Sequence, residues 1–206
     1  CSGCMMGIMI KAGINNTFLL LLVGLLCGVL IGLVNGLLFT KLDLPHPFVS
    51  TLGTQLVIRG FCLWITGSAS MSGFSEGVMF LGYESIGGFP VCFILVIIVA
   101  VVASIFLNKT AFGRYIYSIG GNREAARLSG IKVKPLLNLT YILSGLLAAL
   151  AGIVMIGRVS LAYPNAGDGY EMNAIAACVI GGASFNGGRG SVGGTLVGAL
   201  IIAVLN

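Results

Sequence analysis

The sequence predicts an all-α polytopic membrane protein, a transmembrane helix bundle with a half-helix or re-entrant segment and one short helix outside the bilayer. Three observations predict it. The 206 residues are 57% hydrophobic and 8% charged, whereas soluble domains are about one-quarter charged. Several apolar runs reach the roughly 20 residues that a helix needs to cross the hydrocarbon, and the alternation of an outer-membrane barrel is missing. Six of the eleven basic residues fall in one loop, 108–135.

Residues 1–10 read as the tail of one span. Thr17–Phe39 is a full span, 23 residues or about 34 Å at 1.5 Å per residue. Within it Gly24, Gly28, Gly32 and Gly36 recur every fourth residue, so one helix face is bare of side chains and a neighbouring backbone can approach it. Asn35, beside that face, is expected to bond across the contact, because an amide facing lipid is costly. A tight connection, Lys41–Pro47, follows, with His46 between two prolines, and the lone histidine there reads as a turn residue.

Phe48–Thr66 is a span carrying Thr51, Thr54, Gln55 and Arg59. A mid-membrane charge costs about 2.5–3.5 kcal/mol on insertion scales, so Arg59 faces protein or a wet cavity, or snorkels to the nearer surface. Gly67–Phe89 holds Glu76 and Glu84 and neither lysine nor arginine, which marks a non-cytoplasmic loop. Pro90–Leu107 returns through the membrane, and the basic loop 108–135 is then cytoplasmic by the positive-inside rule.

Leu136–Gly157 crosses outward with a second small-residue face, Gly145, Ala148, Ala149 and Gly152. An external polar segment runs to Asn173. Ala174–Ala183 is too short to span and reads as a half-helix or re-entrant piece. A turn F-N-G-G-R-G-S and a further helix with Gly190, Gly194 and Gly198 come after it. The whole reads as a single transmembrane domain over residues 1–206, an internal piece of a longer protein.

Inside the basic loop Asn122 suits an N-cap, Glu124 the first helical turn and Gly130 the left-handed position past a C-terminus. A two-turn helix, Arg123–Ser129, is predicted. Arg123 and Arg127 share one face, and Ala125 and Leu128 form a small apolar patch. Such a knob fits a groove on another protein, and composition alone equally allows a plain basic loop that only fixes topology.

Catalysis is poorly supplied: six acids and one histidine are scattered over different segments. G-R-G-S-V-G at 188–193 matches a dinucleotide fingerprint without its βαβ setting, and the phosphate-binding G-x-x-x-x-G-K-[ST] sequence is absent. Neither cofactor nor metal is expected. The cysteines read as small apolar residues, including the Cys1–Cys4 pair. The net charge of +5 is explained by the cytoplasmic loop and gives no case for nucleic acid.

The run G-R-Y-I-Y-S-I-G-G-N-R-E-A-A-R-L-S-G-I-K-V resembles the cytoplasmic loop of the ribose-type sugar permeases of bacterial ATP-binding-cassette importers. Glu124-Ala125-Ala126, three residues, then Gly130 is similar to the wider E-A-A-x-x-x-G signature of importer permeases. A second run, A-Y-P-N-A-G-D-G-Y-E-M-N through G-G-T-L-V-G-A-L-I-I, resembles the same family, and the likeness covers essentially the whole chain.

The resemblance implies a homodimeric subunit of the inner membrane with a nucleotide-binding ATPase subunit on the cytoplasmic side and a sugar-binding protein outside. The coupling role would fall on Asn122, Arg123, Glu124, Ala125, Ala126, Arg127, Leu128, Ser129 and Gly130. Candidates for lining the translocation pathway are Gln55, Arg59, Asn165, Tyr170, Glu171 and Asn173. The family carries an acid where this chain has Asn173, so no charge-based role transfers there.

A secondary transporter or channel without an ATPase is the alternative, and it calls for acids buried in mid-span. Asp43, Glu76, Glu84, Asp168 and Glu171 all lie in or beside predicted loops. An intramembrane enzyme would need a nucleophile and a base at membrane depth, and the one histidine is in a proline turn.

Overall fold

The computed structural model describes residues 1–42 and 47–205. It is helical: α1 Ser2–Lys11, α2 Thr17–Lys41, α3 Pro47–Thr66, α4 Glu76–Tyr83, a two-stranded hairpin of β1 Ser85–Ile86 and β2 Phe89–Pro90, then α5 Val91–Lys109, α6 Ala111–Gly121, α7 Arg123–Leu128, α8 Val133–Val159, α9 Tyr170–Ile180 and α10 Val192–Leu205. Four of these, α2, α3, α5 and α8, are long and apolar enough to cross a membrane. The proline-turn reading of His46 lies outside the described residues.

The chain forms two compact units, one of Cys1–Ile94 with Leu137–Ala166 and one of Leu95–Leu136 with the residues from Gly167 onward. In the first, the glycine stripe of α2 is its buried face: Gly24, Gly28, Gly32 and Gly36 are all buried. A Cβ at Gly28 would overlap Gly145 O and Ala149 Cβ. At Gly32 it would overlap Tyr141 O and lie 3.0 Å from Ile142 Cα, and at Gly36 it would lie 3.1 Å from Asn138 Cα. Backbone therefore packs on backbone along α2 and α8, the small-residue geometry that substitutes for a hydrophobic driving force in lipid. Thr40 Oγ1, buried at the end of this seam, donates to Gly36 O and contacts Asn138 Oδ1, both at 2.8 Å.

At the other end of α2 and α8 lies an apolar cluster of Met6, Leu20, Phe74, Val78, Ile153, Ile156 and Ala162. Two backbone bonds of 2.8 Å between Met71 and Ala162 tie the loop before α4 to the loop after α8. This corrects the reading of Gly67–Phe89 as a simple loop: α4 and the hairpin, with register Ser85↔Pro90 and Ile86↔Phe89, occupy much of it. Val78 is fully buried, and Gly82 lets α4 cross α8 at Gly157. Glu76 at the helix start is what reads as polar loop, while the apolar V-M-F-L run behind it carries the packing.

Two expectations about the packing faces are also corrected. Ala148 is exposed, since α8 turns Gly145 and Ala149 toward α2 and that turn carries position 148 away. Asn35 was expected to bond across the α2 seam, but it lies beside that face and lines a space shared with α3, and among the described residues its buried Oδ1 has no hydrogen-bond partner. Of the cysteines, Cys4 and Cys62 are buried together with Met71, and Cys1 Sγ lies 3.3 Å from Cys62 Sγ.

In the second unit Ala174–Ala183 was expected as the short helix, and α9 starts four residues earlier, at Tyr170, so the polar segment before it ends at Gly169 and Asn173 is helical. Gly190 belongs to the turn, not to α10. The α9–α10 pair packs through glycine: a Cβ at Gly198 would overlap Ala177 O, and one at Gly181 would overlap Gly194 O.

Candidate functional site

The basic loop is mostly helix. Thr110 sits at the N-cap of α6, accepting from Gly113 N at 3.3 Å and donating to Phe106 O at 2.6 Å. Gly113 gives the chain room to turn sharply, because a Cβ there would overlap the Leu107 carbonyl. Phe112 packs its ring on Phe106, with centroids 5.0 Å apart. The helix is two-faced: Gly113 and Ile119 are buried and Phe112, Ile116 and Tyr117 half-buried, whereas Arg114 and Ser118 are exposed. From sequence alone 109–121 reads as part of the basic loop 108–135. The signal that could have found α6 is Thr110 followed by Phe112, Ile116 and Ile119 at helical spacing.

The far end of α6 rests on the turn between α9 and α10. A Cβ at Gly120 would overlap Gly188 N, one at Gly187 would lie 3.0 Å from Gly120 Cα, and Tyr117 Oη donates to Gly190 O at 2.9 Å. The glycines of F-N-G-G-R-G-S are thus where one backbone meets another.

The chain then turns directly into α7. Asn122 Oδ1 accepts from Glu124 N at 3.1 Å and Ala125 N at 3.0 Å, satisfying two of the orphan amides of a helix start. At the other end Gly130 N donates to Arg127 O at 3.0 Å and Ile131 N to Ala126 O at 3.1 Å. This is a Schellman closure, with Gly130 at φ +82° where a side chain would be strained. The helix stops at Leu128 with Ser129 as its cap, one residue short of the predicted end, because Gly130 breaks the ladder.

Only Ala126 of α7 is buried, while Arg123, Glu124, Ala125, Arg127 and Leu128 are all exposed, Leu128 at 79%. Glu124 and Arg127 pair at 2.6 Å across the surface, a contact worth at most about 0.5 kcal/mol so far out in solvent. The caps hold the shape, so the exposed Leu128 side chain is not needed for it. Asn122→Ala is expected to remove about 1 kcal/mol of helix stability, seen as faster amide hydrogen exchange at Glu124 and Ala125 without loss of exchange protection in α8.

The six pathway candidates are divided between the two units. Gln55 and Arg59 border a cavity of about 220 Å³ in the first unit, between α2, α3 and the 164–166 segment. Asn165 is exposed between two residues that line it, Pro164 and Ala166. Tyr170, Glu171 and Asn173 lie on α9 in the second unit, with Tyr170 60% exposed. Thr51 and Asn35 also line the cavity and were not assigned to it from sequence, although Thr51, Gln55 and Arg59 are spaced four apart and so share a helix face. Among the described residues no three His, Cys, Asp or Glu side chains are grouped as metal ligands would be.

The family model for the branched-chain amino acid transport system / permease component matches residues 1–206. The ribose import permease protein of Bacillus subtilis (strain 168) is 45% identical over 174 residues, 84% of this chain and 54% of that protein. Its Escherichia coli (strain K12) counterpart is 43% identical over 195 residues, 93% of this chain and 60% of that protein. The D-allose transport system permease protein of Escherichia coli (strain K12) is 38% identical over 205 residues, 100% of this chain and 63% of that protein. The chain thus spans less than two-thirds of the length of these curated relatives, and no solved structure matches it.

Proposed function

From a chain that belongs to the branched-chain amino acid transport system / permease component family, we infer the membrane-spanning part of an ATP-driven importer for a pentose or related sugar. Its place is the bacterial inner membrane. Sugar rather than amino acid follows from relatives named for ribose, galactose and allose import. A nucleotide-binding subunit hydrolyses ATP on the cytoplasmic side, a sugar-binding protein delivers substrate outside, and a second permease copy completes the pathway.

The observation that carries the reading is α7: a helix of six residues, capped at both ends, with Leu128 exposed. A helix this short is marginal in isolation, and here it is held by Asn122, Gly130 and its packing on α6. We assign the coupling contact to Asn122–Gly130. ATP binding closes the partner's two halves, the groove holding α7 moves, and α6 carries that movement to the α9–α10 turn through Gly120 and Tyr117, so that the spans alternate between outward and inward access. Gln55, Arg59, Asn165, Tyr170, Glu171 and Asn173 are the candidates for the path.

The test is made on the full-length protein reconstituted with its ATPase and sugar-binding partners. Glu124→Lys and Gly130→Val are each expected to lower substrate-stimulated ATP hydrolysis and sugar uptake about tenfold, equivalent to about 1.4 kcal/mol. Gly130→Val acts through backbone strain of about 1–3 kcal/mol at a left-handed position. Unchanged coupling in both would remove the docking role.

A further inference from the structure

The face of α3 that a membrane helix ordinarily hides is polar and turned to an open space. Thr51, Gln55 and Arg59 recur every fourth residue, with Ile58 and Cys62 between and below them, and all five line the 220 Å³ cavity. The opposite face is apolar and bare: Leu56, Val57, Phe61 and Trp64 are 67%, 72%, 58% and 78% exposed, and a Cβ at Gly53 or Gly60 would touch nothing. That is the pattern of a helix with its outside toward lipid and its inside toward water or solute.

Across the cavity α2 contributes Ile31 and Asn35, one turn apart, and the loop after α8 contributes Pro164 and Ala166. Asn35 is the residue whose buried Oδ1 has no partner. Leaving a buried amide acceptor unpaired costs about 1–3 kcal/mol, and native structures leave few such groups without a reason. Asn35 also borders the cavity, where a guest with hydroxyl groups can supply the missing donor once the amide turns toward it. The space far exceeds the ~10–15 Å³ needed by a single water.

We propose that this cavity is a binding station for a neutral polyhydroxylated solute on its way through the membrane, with Asn35, Thr51 and Gln55 as its hydroxyl-reading groups. The proposal rests on the transport reading above and adds to it a place and a ligand chemistry. The Asn35 and Gln55 amides each carry a donor and an acceptor, as sugar hydroxyls do, and Thr51 Oγ1, which donates to Pro47 O and Phe48 O at 3.1 Å, offers its lone pairs. Arg59 also borders the space and, as a guanidinium, can offer it donors only. Ile31, Ile58 and Pro164 supply apolar wall for the C–H side of a ring, and among the described residues no aromatic lines the cavity, so the solute is held by hydrogen bonds and not by ring stacking. Several weak polar contacts around a roomy space suit a station that must release its occupant.

The experiment uses the full-length permease reconstituted with its ATPase and sugar-binding protein, with radiolabelled D-ribose and D-galactose as probes. Asn35→Leu and Gln55→Leu keep side-chain size and remove the hydrogen-bonding atoms. Each is expected to lower uptake of the transported sugar at least fivefold, and Gln55→Asn to recover part of that loss. Thr51→Val, nearly unchanged in shape, guards against misfolding and is expected to lower uptake about two- to fivefold. Val57→Ala on the opposite face serves as the control with normal uptake. Retained co-purification of the ATPase shows that each variant is assembled. Normal uptake in Asn35→Leu, Gln55→Leu and Thr51→Val, with wild type active, overturns the station and leaves the transport reading standing. A wild-type complex that moves neither sugar overturns the reading on which the station rests.

Discussion

Gly32→Leu in the full-length permease is expected to lower the melting temperature in detergent by on the order of 10 °C, or to prevent accumulation in the membrane. At Gly32 a Cβ overlaps Tyr141 O and sits 3.0 Å from Ile142 Cα. These are backbone atoms of α8, which cannot swing aside as a side-chain tip can. Leucine would push the two helices apart along the seam. The separation would also loosen Gly28 from Gly145 and strain the Thr40–Asn138 contact. Overpacking costs about 1–3 kcal/mol and sometimes more, and a chain of this size loses about 2–4 °C per kcal/mol. The matched control is Gly53→Leu on α3, where nothing lies within 4 Å and the added side chain faces lipid. If the two variants melt together, α2 and α8 are not in backbone contact and the packing described here is wrong.

A second large effect is expected at Leu128. Leu128→Asp should abolish co-purification of the nucleotide-binding subunit while the permease melts as the wild type does. Leu128 is 79% exposed and α7 is closed by the Gly130 and Ile131 amides, which do not depend on the side chain at 128. Burying a leucine side chain in a partner's groove is worth about 1.5–3 kcal/mol. A carboxylate there removes that gain and adds an unpaired charge to an interface, so the loss in affinity should exceed about 100-fold. The same replacement on the exposed apolar face of α3 cannot serve as a control, since a charge facing lipid has its own cost. Arg114→Ala, on the outer face of α6, can. Retained binding by Leu128→Asp would place the ATPase contact elsewhere.

The parts of this molecule that could be read from sequence are those set by neighbours along the chain. The α7 helix is the clearest case: Asn122 and Gly130 act within one turn of their own position, so the cap residues fix both ends to within one residue. The spans were legible for a similar reason, because a run of apolar residues must form its hydrogen bonds internally in lipid. The glycine stripe of α2 showed that something packs closely there. Its partner was not legible, for a bare backbone groove accepts any small-residue face, and Ala148 looked as good as Ala149 until α8 was seen in place.

The candidate site divides in the same way. Gln55 and Arg59 stood out as polar groups in an apolar span, and their shared helix face follows from their spacing. That Thr51 joins them, that Asn35 faces them from α2 and goes unpaired, and that Pro164 and Ala166 close the space depends on contacts across more than 100 residues of chain. Likewise α6 was hidden because Phe112, Ile116 and Ile119 sit among glycines and basic residues that read as loop. That this is a helical membrane protein, where its spans run and where its short capped helix begins and ends all follow from local hydrogen bonding and burial in lipid, and so from the order of residues. Which faces meet and where a polar cavity is left open depend instead on the fit of distant surfaces whose chemistry, taken separately, allows many partners.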